Sequence, residues 1–211
     1  MEEEIDIFLD LILDHIIEGK LIAFPTDSVY GIGGDPSNIE LINRIYDIKH
    51  REHSKGFLLL VSDFEEACKI AEFNAKAKTI AKTFWPGQVT LILRKKEKAP
   101  IPPELNAFQD TIGLRVPKNE IVLKILRGLK KRGKIGAIIG TSANFSREPP
   151  AISGTEVSKL FMGTIDLVLD SGKTMSKIPT TIVDLSSNIE KFLRIGRISE
   201  RQIRNTLSSA D

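Results

Sequence analysis

At Ser37/Glu40, Ser62/Glu65, Ser153/Glu156 and Ser199/Gln202 a serine stands three residues ahead of a glutamate or glutamine, each time at the head of a stretch with a helical period. That spacing marks helix starts, because the hydroxyl and the longer side chain can each satisfy a free backbone N–H of the first turn. Short apolar runs separate the boxes: Leu21–Phe24, Phe57–Val61, Val89–Leu93, Ile112–Val116, Ala137–Gly140, Leu167–Asp170 and Thr181–Asp184. Their lengths suit strands. Further helices are expected at Ile5, Leu9, Ile12 and Ile16, with Gly19 as C-cap, from Asn74 to just before Trp85-Pro86-Gly87, and from Glu120 to Leu129. Gly31–Gly34 reads as a glycine-rich turn. Strand and helix alternate almost throughout, so the expected fold class is α/β, a twisted, mostly mixed sheet with helices packed around it. No linker tract or internal repeat divides the chain, and residues 1–211 are expected to be a single domain with no additional C-terminal domain.

Composition removes several function classes. With 41% hydrophobic and 27% charged residues, the chain is neither disordered nor collagenous nor a coiled coil. It holds no uncharged apolar stretch near the roughly 18 residues of a membrane span, and its start, Met1 to Glu4, is acidic where a secretory signal would be basic. A cytoplasmic location without membrane contact is therefore expected. Cys68 has no internal disulfide partner, and His15, His50 and His53 make a poor ligand set, so no metal site is expected.

The net charge is only +2, but residues 1–20 carry seven of the 28 acids and one of the 30 bases, leaving a surplus of eight bases elsewhere. Such a surplus suits an anionic ligand, a nucleotide or RNA. Six bases, Lys124, Arg127, Lys130, Lys131, Arg132 and Lys134, fall within eleven residues. They could track a phosphate backbone, although a solvated helix face is the preferred reading. Two apparent phosphate loops fail: the first glycine of a P-loop ending in Gly172-Lys173-Thr174 would fall at Leu167, and the fingerprint beginning Gly31-Ile32-Gly33 would need glycine at Pro36.

Four polar segments stand where an α/β sheet usually binds ligands, at strand ends or just past a helix. They are Phe24–Gly33 with Thr26, Asp27 and Ser28; Lys49-His50-Arg51; Gly140–Ser146 with Ser142 and Asn144; and Phe192–Gly196 with Arg194. Hydroxyls, an amide and cations in such places can hold phosphate oxygens, yet each segment alone also fits an ordinary turn or helix end.

Taken in order, Pro25–Gly31, Lys49/Arg51, Trp85–Thr90, Gly113–Pro117, Ser142/Asn144 and Leu193–Gly196 resemble the motifs of the YrdC-type L-threonylcarbamoyladenylate synthases. The likeness covers residues 5 to 207. It implies a YrdC-like fold with a concave electropositive cleft. It also implies a nucleotidyltransferase of tRNA N6-threonylcarbamoyladenosine synthesis, making threonylcarbamoyl-AMP and pyrophosphate from L-threonine, bicarbonate and ATP. The same likeness assigns Lys49 and Arg51 to catalysis, and Lys49, Arg51, Thr111, Ser142, Asn144 and Arg194 to ATP. It assigns Thr26, Arg115 and Thr180 to threonine. Mg²⁺ is expected to enter with ATP, and a downstream tRNA threonylcarbamoyl transferase to take the product. The alternative of a different class is a non-catalytic RNA-binding or ribosome-maturation protein on the same fold. Trp85, before Pro-Gly, reads as a core anchor and not as a base-stacking residue.

Overall fold

In a computed structural model of the chain, residues 4–174, 176–187 and 189–209 are described; the acidic start at Met1–Glu3 lies outside them. The elements are α1 (Glu4–Ile17), β1 (Ile22–Phe24), β2 (Gly31–Gly33), α2 (Ile39–Ile48), β3 (Leu58–Val61), α3 (Phe64–Ile70), α4 (Ala75–Phe84) and β4 (Val89–Arg94). A 3₁₀ turn (Pro103–Asn106) precedes β5 (Thr111–Arg115), α5 (Glu120–Lys131), β6 (Ala137–Ile139), β7 (Thr141–Ser142), α6 (Gly154–Leu160), β8 (Leu167–Val168), β9 (Thr181–Asp184), β10 (Lys191–Arg194) and α7 (Glu200–Ser208).

The helix starts use the expected chemistry with a shift. At α2 and α3 the capping oxygen comes from the residue after the serine: Asn38 accepts from Leu41 N–H and Asp63 from Glu66 N–H. Ser37 is instead held in a turn by Asp35, and Ser62 donates to Asp63. Short amide and carboxylate acceptors displace a neighbouring serine that has a partner of its own. The reciprocal box survives intact at α7, between Ser199 and Gln202.

The strands form two mixed sheets, in order β7-β2-β1-β8 and β10-β9-β4-β5-β3-β6. Thus the single expected sheet is split, and Gly31–Gly33, expected to be a turn, is a strand pairing antiparallel with β1 and β7. Tertiary packing makes those glycines strand residues. A side chain at Gly31 would meet the Phe24 ring at 2.6 Å, and one at Gly33 would meet the Ile139 carbonyl oxygen at 1.8 Å. Only Gly140 separates β6, in the six-stranded sheet, from β7, in the four-stranded one. One continuous core, including Phe24, Ile32, Leu59, Leu91, Leu114 and Ile139, joins the two sheets. The architecture is a single-domain α/β fold with mixed sheets.

Helix α1 turns Ile5, Ile12, Leu13 and Ile16 inward and packs on α5, where Gly128 gives room to Leu13. That contact changes the reading of the basic run. Lys124 pairs with Asp6 at 2.9 Å, Arg132 with Asp10 at 2.6 Å and with Asp14, Lys130 with Asp63 at 3.0 Å, and Arg127 with Glu120 at 3.5 Å. Four of the six cations expected to face solvent, or to follow RNA, are met by acids of α1, of the α3 cap and of α5 itself. These pairs lie at the surface, where solvent screening leaves them little weight in stability. Replacing Asp10 and Asp14 together by asparagine should therefore change the denaturation midpoint little, while raising the salt needed to elute the protein from heparin. Unchanged elution would show that the acids do not mask this face.

Candidate functional site

The polar segments meet on one cavity of about 540 Å³ bordered by both sheets. Eight of the nine site residues expected from the sequence line it: Thr26, Arg51, Thr111, Arg115, Ser142, Asn144, Thr180 and Arg194. Lys49 does not.

Leaving β1, the chain turns on Thr26, whose hydroxyl donates to Val29 O (2.7 Å) and accepts from Ser28 N–H (3.0 Å). Tyr30, buried beyond it, donates to Gly172 O (2.9 Å) and accepts from Ser171 N–H (3.0 Å), tying the 170–172 loop to this wall. On the facing sheet, Arg115 closes β5. Its Nε donates to Gly87 O (2.9 Å), Nη1 to Ser28 Oγ (3.3 Å) and Nη2 to the Asp27 carboxylate. Burial pulls the Arg115 guanidinium below its ordinary pKa, and the adjacent Asp27 carboxylate works against that shift. A guanidinium has five N–H groups, so these bonds leave one on each terminal nitrogen.

Lys49 caps the C-terminus of α2, but its side chain turns inward. The ammonium donates to Ser142 O (2.5 Å) and Asn144 O (2.6 Å), with Asn144 Oδ1 at 3.4 Å. Burial, aided by the like charge of Arg51, brings its pKa down to about 7. Lys49 thus stands behind the wall that carries Ser142 and Asn144, and the expected direct hold on a triphosphate does not match this geometry. The physical reason is that two backbone carbonyls of the 142–144 loop claim its N–H groups. Ser142 Oγ donates to Asn144 Oδ1 (2.6 Å), while Asn144 Nδ2 donates to Phe145 O (2.8 Å) and Glu148 O (2.7 Å), so the loop is bonded within itself as well.

Arg51 does reach the cavity. Its Nε donates to Lys55 O (2.9 Å) and Nη2 to Gly56 O (2.8 Å), its head lies 5.2 Å from the centre of the Phe57 ring, and burial holds its pKa below the usual value. Thr111, at the start of β5, adds a hydroxyl to the same lobe. On the opposite side Arg194 projects from β10 at a register shift against β9, a bulge that re-aims a side chain. Its Nε donates to Thr180 O (2.8 Å) and Nη2 to Thr180 Oγ1 (2.9 Å). No acid answers this charge among the described residues, and partial burial lowers its pKa.

Three side chains lie in segments that the sequence singles out but to which it assigns no role. Asp27 is the counter-ion of Arg115, Ser28 bonds the same guanidinium, and Thr90 meets Thr180 hydroxyl to hydroxyl at 3.0 Å. A signal for Thr90 existed in the period of β4: Val89, Leu91 and Leu93 face the core, which turns Thr90 and Ile92 to the cavity. Trp85 donates to Val89 O (2.7 Å) and meets Phe73 edge-on, as a structural anchor does. Among the described residues no three His, Cys, Asp or Glu side chains converge as metal ligands. No helix among them is long and apolar enough to cross a membrane.

Three guanidiniums and a set of hydroxyls on one concave surface can hold a polyanion and a small polar molecule side by side. Comparison with known proteins gives the same surroundings a lineage. The family model Sua5/YciO/YrdC, described as "Telomere recombination", matches residues 14–196. The threonylcarbamoyl-AMP synthase of Pyrococcus abyssi is 34% identical over 193 residues, covering 91% of this chain and 55% of that protein. A putative threonylcarbamoyl-AMP synthase of Methanocaldococcus jannaschii is 33% identical over 93% of this chain and 89% of its own length. The chain therefore spans about half the length of the P. abyssi relative and most of the M. jannaschii one. A crystal structure of P. abyssi Sua5 complexed with L-threonine superposes with a TM-score of 0.85 at 32% identity, over 98% of this chain and 58% of that one. E. coli YciO shares the fold, at a TM-score of 0.82 and 24% identity over 93% and 92% of the two chains. With the family model spanning most of its length and relatives above 30% identity on either side, the chain belongs to the Sua5/YciO/YrdC family.

Proposed function

We propose that this chain is an L-threonylcarbamoyladenylate synthase. The observation that carries the reading is the convergence of Arg51, Arg115 and Arg194 with the hydroxyls of Thr26, Thr111, Ser142 and Thr180 on one cavity. Its volume suits a nucleotide beside an amino acid. The reaction needs no protein nucleophile. Threonine's amine and bicarbonate condense to a carbamate with loss of water. A carbamate oxygen then attacks the α-phosphorus of ATP, the bond to the β-phosphate oxygen breaks, and pyrophosphate leaves. What the protein must supply is alignment and positive charge along the line of displacement.

Arg51 and Arg194 are the cations free to meet the phosphates, with Ser142 and Asn144 as neutral partners. ATP would enter as its Mg²⁺ complex, the ion supplying charge neutralisation; since no His, Cys, Asp or Glu cluster among the described residues is built to hold it, it would come bound to the nucleotide. Arg115 turns its two remaining N–H groups to the threonine carboxylate, and Thr180 offers a hydroxyl beside it. Lys49 acts through the 142–144 loop. The adenylate then passes in the cytoplasm to a transferase that modifies tRNA.

Pyrophosphate release from ATP is expected to require threonine and bicarbonate together, without RNA, because the attacking group is their joint product. Serine, which loses only a methyl contact, should replace threonine better than valine, which leaves polar groups at Thr180 unpaired. Release that is indifferent to threonine would reject the synthase. Tight RNA binding at low salt with no turnover would favour the non-catalytic alternative.

A further inference from the structure

Thr90 and Thr180 are both buried, their hydroxyl oxygens are 3.0 Å apart, and both line the cavity. A guanidinium has no acceptor, so in the 2.9 Å contact Arg194 Nη2 donates and Thr180 Oγ1 accepts. Thr90's hydroxyl makes its only described side-chain hydrogen bond with Thr180. Either hydroxyl could donate in that pair, but Thr90 has no exposed surface and no other acceptor for its proton among the described residues, whereas Thr180, 3% exposed, can turn its proton to the cavity. A buried proton without an acceptor is costly, and Thr90 is therefore taken as the donor. Thr180 Oγ1 then accepts twice, and both lone pairs are taken. Its own proton is the one valence that remains.

We infer that Thr90 is a positioning residue that turns the Thr180 hydroxyl into an obligate donor aimed at an oxygen of the amino-acid substrate, its carboxylate or its side-chain hydroxyl. The inference rests on the synthase reading of the cavity and adds to it a residue and a polarity. Without Thr90, Thr180 Oγ1 regains a lone pair and rotates between donor and acceptor roles, so the substrate oxygen meets a fixed donor for only part of the time. Arg194, bonded also to the Thr180 carbonyl, keeps its place. The effect should fall on threonine and spare ATP.

Thr90→Val keeps the shape and removes the hydroxyl; Thr90→Ser keeps the hydroxyl and removes the methyl. For Thr90→Val, the KM for threonine should rise about fivefold, as loss of one neutral hydrogen bond implies, with the KM for ATP within twofold of wild type. Thr90→Ser should restore the threonine KM. Calorimetric titration of L-threonine into the whole chain, at saturating non-hydrolysable ATP analogue, reads the same change without turnover. Wild-type binding with no adenylate formed would reject the reaction while leaving the titration to judge Thr90. An unchanged threonine affinity in Thr90→Val, an equal loss for ATP, no rescue by serine, or no threonine binding by the wild type would each overturn the assignment.

Discussion

Lys49→Met is expected to lower the unfolding free energy by about 2–5 kcal/mol and to slow adenylate formation at least roughly tenfold, since it strands two buried carbonyls that each cost about 1–3 kcal/mol when unpaired. Methionine fills the space of the lysine stem but offers no N–H to Ser142 O and Asn144 O. The wall bearing Ser142 and Asn144 should loosen, so stability and turnover fall together. Denaturant midpoints and pyrophosphate release in one variant check both. Full stability with lost activity would place the ammonium on the substrate and not behind the loop.

The same lysine has a pH signature. Its folded-state pKa is about 7 against an ordinary 10.5. Between those values the unfolded chain binds more protons than the folded one, so the lysine's contribution to stability rises with pH. It is complete above about 10.5 and is lost as pH falls through about 7. A neutral amine keeps two N–H donors, enough for the two close carbonyls. The stability gap between wild type and Lys49→Met should therefore widen from pH 7 to pH 10, and a gap that narrows would contradict the buried setting.

Asp27→Ala should be the most damaging single change near the cavity, at about 3–5 kcal/mol, because it leaves the Arg115 guanidinium buried without a counter-charge. Side-chain exposure is only 5% for Arg115 and 12% for Asp27, so water cannot take the carboxylate's place. The second carboxylate oxygen of Asp27 has no hydrogen-bond partner among the described residues, which leaves Arg115 as the group that answers its charge. Adding Arg115→Met to Asp27→Ala should recover part of the loss, since two apolar residues are tolerated where one orphaned ion is not. Chemical denaturation of the two singles and the double closes the cycle. A double variant no more stable than Asp27→Ala alone would show that the pair is not what holds this corner.

The legible part of the fold was local. Helices announced themselves through caps and a period near 3.6, and aliphatic strands through runs ended by proline or glycine. Gly31-Ile32-Gly33 did not, because its strand character comes from the Phe24 ring and the Ile139 carbonyl, neither visible in the local composition. At the site, strand-end hydroxyls and arginines could be picked out one by one, and the resemblance grouped them. The direction of Lys49 could not be, for a helix-end lysine can reach outward or inward, and the carbonyls that decide it lie 93 and 95 residues away. The basic run of α5 read alone suggested solvent or a phosphate backbone, yet the fold sets Lys124 and Arg132 against Asp6, Asp10 and Asp14 of α1.

The passage from β6 through Gly140 to β7 has a thermodynamic consequence. A single residue ties the sheets at the point where the cavity wall begins, and the Ile139 carbonyl oxygen lies where a Gly33 side chain would stand. Neither sheet can open by itself without dragging that strand out of the other, which removes the half-unfolded states that a looser link would permit. The amides of β2 and β3 should accordingly exchange with solvent through one shared opening event, and a ligand seated in the cavity would slow exchange in both sheets by the same factor.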